Sequence, residues 1–358
     1  MRLFFFICCL FGYLYSEIIY DDLVNDFSEF ERIGNKIVLH KRKYWFPSFP
    51  WSFNPSLIDV GDEFWMIFRY HPDLANQPWL SDIVIVRLNE QLDPISEPQV
   101  LNTRKRYSKT PSQSEDARLF RYRGRTFLIC NDCVDELWFS SYSRRDMFMA
   151  EIFYENGTFS LSDPLKLVYE EEYYKHICQK NWVPFEWDQT LLLSYTLNPH
   201  LILYPNLKNG QCYKCHETAA PIQWDFGSLR GGAPPQLVDG EYLGFFHSPK
   251  YLRSESSFGY EFWHYFAGVY TFSKEPPFEI KKMLPCPLMA DDFYTKSYQP
   301  KRVIFPGGFA ISGDKIYLAY GKDDCEIWIA TLDKKELMNS LQPVENLSLL
   351  PTKDWSGK

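Results

Sequence analysis

The sequence predicts an all-β protein, a five-bladed β-propeller with four-stranded antiparallel blades. Aromatic residues make up 18% of the 358 residues and there are 24 prolines, a composition typical of many short strands joined by turns. Five segments share one pattern, in which a polar or glycine-bearing start precedes an aromatic and β-branched strand. They begin roughly 50 to 75 residues apart, about the length of a four-stranded blade. No amphipathic helical run is predicted, which argues against an α/β fold.

Each predicted blade starts with a recognisable group of residues. The five starts are Phe53-Asn54-Pro55, Glu115-Asp116-Ala117-Arg118, Lys180-Asn181-Trp182, Arg230-Gly231-Gly232 and Phe305-Pro306-Gly307-Gly308. Short turns then precede the next strand in four of them, at Val60-Gly61-Asp62, Arg123-Gly124-Arg125, Val238-Asp239-Gly240 and Ser312-Gly313-Asp314. In the fourth start, the glycines let the backbone approach a ligand closely and two following prolines stiffen the loop.

The first residues predict export. An apolar run from Leu3 to Tyr15 follows Met1-Arg2 and is too short to span a bilayer comfortably. We therefore expect a signal peptide over residues 1–16 and a single propeller domain over residues 17–358. Leu14 fits poorly where a small residue is preferred before cleavage, so an uncleaved membrane anchor is the alternative. The expected location is secreted, periplasmic or in the lumen of the secretory pathway.

The charge balance argues against nucleic-acid binding. The net charge is −8 and the isoelectric point is near 5.5, whereas phosphate-backbone binding needs clustered Lys and Arg. The basic cluster at Arg104-Lys105-Arg106 is interpreted as a solvated loop. The sequence leaves the oligomeric state open.

The cysteines allow several interpretations. Removing the signal peptide leaves seven of the nine cysteines, so at least one thiol is free or paired outside the chain. Cys212-Tyr213-Lys214-Cys215-His216 matches the c-type haem attachment pattern, and Cys130-Asn131-Asp132-Cys133 repeats its spacing. A zinc site built from both pairs is a second alternative. A local disulfide or buried thiols is the interpretation we favour, and no metal site is predicted.

The polar side chains at the blade starts predict a central sugar-binding site. In a propeller, loops on one rim converge, so distant positions come together there. Asparagine, carboxylate, lysine and arginine side chains hold hydroxyl groups, and aromatic faces stack on sugar rings. The alternative is that each residue only caps its own turn. The residues concerned are Asn54, Asp116, Arg118, Lys180, Asn181, Arg230 and Asp324.

At these positions the sequence resembles glycoside hydrolase family 130, the β-mannoside phosphorylases and hydrolases with a five-bladed propeller fold. The resemblance extends from about Asn54 to Asp333. The matching motifs are Asn54-Pro55, Glu115-Asp116-Ala117-Arg118, Lys180-Asn181, Gly231-Gly232-Ala233-Pro234-Pro235 leading to Phe246-His247, and Tyr320-Gly321-Lys322-Asp323-Asp324.

The resemblance implies a role for each matched residue. Asp116 is the implied general acid, which protonates the leaving oxygen by way of a sugar hydroxyl while phosphate attacks the anomeric carbon, so one carboxylate suffices. The implied phosphate ligands are Arg118, Lys180, Arg230 and His247, and the implied substrate ligands are Asn54, Arg69, Asn181 and Asp324. The implied partner is an oligosaccharide or mannoside substrate. No cofactor is implied, apart from inorganic phosphate as a co-substrate.

Two departures from the family pattern leave the acceptor open. Ala117 replaces the proline of the acid block, and Phe246 replaces the tyrosine before the histidine, which removes a hydroxyl that would help to bind phosphate. Phosphorolysis, hydrolysis and mannosyl transfer therefore all remain open, as does a propeller that only binds glycans. A sucrose- or arabinan-type glycosidase would need further carboxylates, for which Asp59 and Glu326 are the nearest candidates.

Overall fold

The computed structural model describes residues 27–103, 111–134, 144–175 and 178–347. The predicted signal peptide and the basic cluster at Arg104 lie outside these ranges, so export stays a prediction. Among the described residues, no helix has the length and apolar character needed to cross a membrane.

The strands fall into five consecutive sets, which are numbered along the chain. The first strand, β1 (Val38–Tyr44), belongs to the fifth set. The first set is a four-stranded sheet of β2 (Ser52–Asp59), β3 (Phe64–Tyr70), β4 (Asp82–Leu88) and β5 (Gln99–Leu101). The second consists of β6 (Glu115–Tyr122), β7 (Arg125–Cys133), β8 (Arg145–Glu155), β9 (Thr158–Leu161) and β10 (Leu165–Leu167). The third is a four-stranded sheet of β11 (Val183–Trp187), β12 (Thr190–Leu197), β13 (His200–Pro205) and β14 (Cys212–Thr218).

The last two sets are joined in one ten-stranded sheet. The fourth set consists of β15 (Arg230–Gly231), β16 (Gln236–Val238), β17 (Glu241–Arg253), β18 (Glu261–Ser273) and β19 (Ile280–Met283), with β23 (Gln342–Pro343) paired to β19. The fifth consists of β20 (Lys301–Ser312), β21 (Lys315–Lys322), β22 (Glu326–Asp333) and β1. A short parallel pairing of β18 with β20 joins the two. The prediction of an all-β protein with four-stranded sheets is thus confirmed, whereas this junction was not predicted.

The predicted turns lie between antiparallel neighbours. The turn at Gly124 joins β6 to β7, and the turn at Gly313 joins β20 to β21. Both glycines have positive φ angles, 74° and 58°, which L side chains rarely adopt. Local turn chemistry therefore gave the correct strand boundaries at these positions.

Neighbouring sets share hydrophobic cores in a closed circuit. Five clusters of buried residues lie between the first and second sets, the second and third, the third and fourth, the fourth and fifth, and the fifth and first. In the last of these, Leu57 and Phe68 of the first set pack with Ala319 and Ile329 of the fifth. Burial of such aliphatic and aromatic side chains is the main stabilising contribution to the fold.

The early strands of the sets also meet. Strand β2 contacts both β6 and β20, β6 contacts β11, β15 contacts β12, and β20 contacts β17. This brings together the segments that carry the predicted blade starts.

An amphipathic helix precedes the strands, so the prediction that no such run exists is wrong. Helix α1 (Ser28–Ile37) buries Phe30 and Ile37, and Ile33 packs against the same core. These apolar residues recur at helical spacing within only ten residues. A Cβ atom on Gly34 would lie 1.3 Å from the Met289 carbonyl oxygen, so only glycine allows this close approach. Within the described ranges the other α-helices are short, α2 (Glu170–Tyr173) and α3 (Lys334–Ser340).

The two cysteines of β14 have different surroundings. Cys212 is buried in the core shared by the second and third sets, and its thiol donates to the Gly210 carbonyl. Cys215 is exposed, and its thiol donates to the Ile202 carbonyl. Within the described ranges, no three His, Cys, Asp or Glu side chains are grouped to hold a metal ion.

Candidate active site

Four of the predicted site residues have a left-handed backbone conformation. The φ angles are 49° at Asn54, 51° at Asp116, 65° at Asn181 and 51° at Asp324. Asn and Asp adopt this conformation more readily than other residues with a Cβ atom. At Asn54 and Asp116 the strand register also shifts, as in a β-bulge, which redirects a side chain out of the regular alternation. Such strained positions are typical of functional sites.

Asn54 links the carboxylates of two other sets of strands. Its Nδ2 donates to Oδ1 of Asp116 at 3.0 Å and to Oδ1 of Asp324 at 3.1 Å. Asn54 is buried, whereas both carboxylates are partly exposed. One amide group therefore fixes a carboxylate from the second set and another from the fifth.

Cations surround this carboxylate pair. Lys301 forms an ion pair with Asp324. Arg69 donates from Nη2 to Oε1 of Glu115 at 2.8 Å and lies over the Phe53 ring. Glu115 also forms an ion pair with Arg145 at 3.3 Å.

The surroundings keep Asp116 ionised at neutral pH. Burial acts to raise the pKa of Asp116, but Arg69, Arg118, the hydrogen bond from Asn54 and Lys180 together hold this pKa below its ordinary value. The resting carboxylate is therefore a proton acceptor.

Arg118 lies beneath the site as a brace. Its side chain has no exposed surface and donates to the carbonyl oxygens of Gly232 at 2.6 Å and Gly231 at 3.0 Å. It also donates to Oδ1 of Asn181 at 3.2 Å and to the Asp116 carbonyl at 3.3 Å. Burial lowers the pKa of Arg118 to about 10, so the guanidinium stays charged. Because the Arg118 side chain has no exposed surface, its contacts here are with neighbouring residues, and its implied role as a phosphate ligand stays a prediction.

We expect Arg118→Met to destabilise the fold by about 3 to 5 kcal/mol, because it leaves the buried carbonyl oxygens of Gly231 and Gly232 and the side-chain oxygen of Asn181 without their donor. Chemical denaturation measures this loss. The matched control is Arg121→Met on the same strand, where the arginine is exposed and bonded to the Gly124 carbonyl, and where a change under about 0.5 kcal/mol is expected. An Arg118→Met protein as stable as wild type would contradict the bracing role.

His247 lies beside the same group of charges. It is 4% exposed and its ring centroid is 5.0 Å from that of Phe305. Its Nδ1 is buried and has no hydrogen-bond partner among the described residues. Burial, and then the nearby Arg118, hold the pKa of His247 well below its ordinary value. The ring is therefore neutral at pH 7 and can donate or accept one hydrogen bond.

The other two predicted cations are more accessible. Arg230 pairs with His247 across β15 and β17 and is partly exposed, and Lys180 is exposed. Both lie close enough to influence the pKa of His247. Arg230 and Lys180 are therefore the accessible cations among the predicted phosphate ligands.

Sequence reasoning missed three residues of this region. Glu115 belongs to one of the matching motifs, but the resemblance implies no role for it. In the structure it orients Arg69. Lys301 lies outside every motif, and only the fold brings it to Asp324. His71 stacks on Phe53 with ring centroids 5.3 Å apart, and burial lowers its pKa to about 4.

No protein-family model matches the chain, and neither does any of the curated proteins. Solved structures do match. A β-1,2-mannobiose phosphorylase from Listeria innocua superposes with a TM-score of 0.53 and 14% identity, covering 84% of this chain and 94% of that one. A mannose phosphorylase from Leishmania mexicana, in complex with a phosphate ion, gives a TM-score of 0.54 and 10% identity over 90% of this chain and 96% of that one.

The structure of a mannosyltransferase is also similar to this chain. A GDP-Man-dependent mannosyltransferase from Leishmania mexicana gives a TM-score of 0.52 and 12% identity, covering 91% of this chain and 97% of that one. At such identities the likeness concerns the fold and does not extend to activity. The chain has the fold of the mannoside phosphorylases and hydrolases of glycoside hydrolase family 130.

Proposed function

We propose that the protein is a carbohydrate-active enzyme that makes or breaks glycosidic bonds of mannosides, with Asp116 as its single catalytic acid or base. The observation that carries the proposal is the pair formed by Asp116 and Asp324 on the Asn54 amide, surrounded by cations. The positive φ angles at all three residues support it, because a simple turn cap does not require such a constellation.

We also propose that the five sets of strands are the blades of a five-bladed β-propeller. The closed circuit of hydrophobic cores supports this arrangement, since each set packs on two neighbours. The contacts of β2 with both β6 and β20 support it as well. The candidate site then lies where the blade starts converge.

In bond cleavage, an acceptor oxygen bonds to the anomeric carbon while the bond from that carbon to the leaving oxygen breaks. The leaving oxygen takes a proton that Asp116 supplies, directly or through a sugar hydroxyl. Asn54 holds Asp116, Asn54 and Asp324 bind the sugar hydroxyls, and Arg69 is positioned by Glu115 beside them. Arg118 fixes the backbone of the fourth set.

Mannosyl transfer is the second candidate, and the ionisation of Asp116 favours it. In the synthetic direction, the catalytic group must accept a proton from the attacking hydroxyl, and a carboxylate with a lowered pKa starts in the required state. In the cleavage direction, Asp116 must first gain a proton. An anion bound beside Arg230 and Lys180 would raise the pKa of Asp116 and so assist this step.

Phosphate or sulfate is expected to raise the melting temperature, in proportion to the logarithm of its concentration above the dissociation constant. Arg230→Ala should abolish the shift, because Arg230 is a partly exposed cation beside His247. Lys315→Ala, in an exposed turn of the fifth set, is the control and should leave the shift unchanged. The absence of any shift in the wild-type protein would count against a phosphorylase and leave water or a sugar as the acceptor.

A product analysis tests the proposed function. Purified protein is incubated with β-mannosides, mannose 1-phosphate or a nucleotide-linked mannose, each with and without phosphate. Phosphate-dependent release of mannose 1-phosphate identifies a phosphorylase, free mannose a hydrolase, and a lengthened mannoside a transferase. If none of these donors is consumed, the proposed function is wrong.

A further inference from the structure

A strip of aromatic rings lies on one face of the long β17–β18 hairpin. The register pairs Tyr251 with Trp263 and Pro249 with Tyr265. Paired residues share a face, and every second residue of a strand returns to it, so Tyr251, Trp263 and Tyr265 point to the same side as His247. We call these three residues the aromatic strip.

The rings of the strip are neighbours, and their exposure increases away from the candidate site. The ring centroid of Tyr265 lies 6.3 Å from His247 and 6.4 Å from Trp263, which lies 5.3 Å from Tyr251. Tyr265 is partly exposed, whereas Trp263 is 48% exposed and Tyr251 is 53% exposed. The strip is therefore a continuous apolar surface that runs outward from His247.

The strip is also joined to the carboxylate pair through the fifth set. The parallel pairing of β18 with β20 places Trp263 beside Lys301 and Tyr265 beside Val303. Lys301 forms the ion pair with Asp324. Lys301, the ion-pair partner of Asp324, thus lies beside Trp263 on the neighbouring strand.

The opposite face of the hairpin is buried and hydrogen-bonded. His264 has no exposed surface, and its Nε2 lies 2.8 Å from Oγ of Ser254. Arg302 also has no exposed surface and donates from Nε to the Ser256 carbonyl at 2.7 Å. These contacts fix the hairpin, so little conformational entropy is lost when a ligand binds the strip.

Exposed aromatic residues found singly need no explanation, and Trp45 and Tyr213 are such cases on other strands or loops. Three adjoining rings that lead from a candidate site are different, since contiguous apolar surface is typical of binding sites. Their faces match the C–H faces of sugar rings, whereas the net charge of −8 disfavours a nucleic acid.

We propose that the aromatic strip binds the successive rings of a mannose oligosaccharide whose end residue occupies the candidate active site. The inference rests on the proposed function and specifies its substrate, an oligosaccharide chain in place of a disaccharide. Sugar rings beyond the reacting bond then stack on Tyr265, Trp263 and Tyr251 in that order.

The test measures binding of β-mannosides from disaccharide to octasaccharide to the Asp116→Asn protein by calorimetry. Affinity is expected to rise with chain length. Trp263→Ala should lower the affinity for the octasaccharide by about tenfold, as expected for the loss of one stacked ring, and leave that for the disaccharide unchanged. Trp45→Ala, which removes an exposed tryptophan from another part of the chain, is the control and should match the parent at every length.

The outcomes separate this inference from the proposed function. Equal affinity for the disaccharide and the octasaccharide in the parent protein would overturn the strip as a binding site and leave the proposed function intact. An equal loss at every chain length in Trp263→Ala would also overturn it. No binding of any mannoside would overturn the proposed function and the strip with it.

Discussion

Asp116→Asn is expected to lower turnover by about 10² to 10⁴-fold with little change in substrate affinity. The amide keeps an oxygen that accepts the hydrogen bond from Asn54, but it can neither deliver nor accept the proton of the reaction. Steady-state rates and calorimetric binding measured on the same preparation separate the two effects. The loss falls on the transition state because the proposed substrate ligands Asn54, Arg69 and Asp324 are unchanged.

Asp239→Asn provides the matched control for this experiment. Asp239 has a left-handed backbone, as Asp116 does, but it lies in the exposed turn between β16 and β17 and forms an ion pair with Lys334 instead of a contact with the candidate site. Its substitution should leave turnover unchanged. If Asp116→Asn instead unfolds the protein while its folded fraction keeps wild-type activity, Asp116 is a structural cap. A glycan-binding protein without catalysis would show no turnover in the wild type either.

Mild acid is expected to destabilise the protein by about 5 kcal/mol between pH 6.5 and pH 5, before most carboxylates titrate. Four histidines in the described part of the chain are buried, and burial lowers the pKa of each: to about 4 for His71, His200 and His264, and well below the ordinary value for His247. In the unfolded chain the same groups titrate near 6.5, so below that pH the unfolded state binds more protons. The stability is therefore fully present above about pH 6.5 and is lost as the pH falls towards 4.

The measurement is the free energy of unfolding by denaturant at several pH values from 8 to 4.5. His200→Gln should make the dependence shallower, because one proton fewer is taken up on unfolding. His40→Gln, at an exposed position, is the control and should reproduce the wild-type slope. A wild-type free energy that stays constant from pH 7 to pH 5 would contradict the prediction.

Local signals in the sequence predicted the strand sets and part of the site. Turns such as those at Gly124 and Gly313 are determined by the few residues within them, so they can be predicted from the local sequence. The convergence of Asn54, Asp116 and Asp324 could be predicted because similar polar groups recur at the starts of the sets. The left-handed backbone of these residues could not be predicted, because it depends on bulges in the paired strands.

The rest depends on contacts between distant segments. An arginine is usually exposed, and only the close approach of the Gly231 and Gly232 carbonyls makes Arg118 a buried brace. Lys301 lies outside every motif, and only its ion pair with Asp324 brings it into the site. No turn residue in the sequence indicates the parallel pairing of β18 with β20. Helix α1 was missed because its apolar pattern covers only ten residues.

The pairing of β1 with β22 has a consequence for biosynthesis. The pair joins Tyr44 to Ile327, so the fifth set cannot be completed until nearly all of the described chain has left the ribosome. Until then, β1 lacks its hydrogen-bonding partner and the apolar face of the first set that packs on the fifth is uncovered. Exposed strand edges and apolar surface promote aggregation. We therefore expect nascent chains that stop before β22 to depend on chaperones.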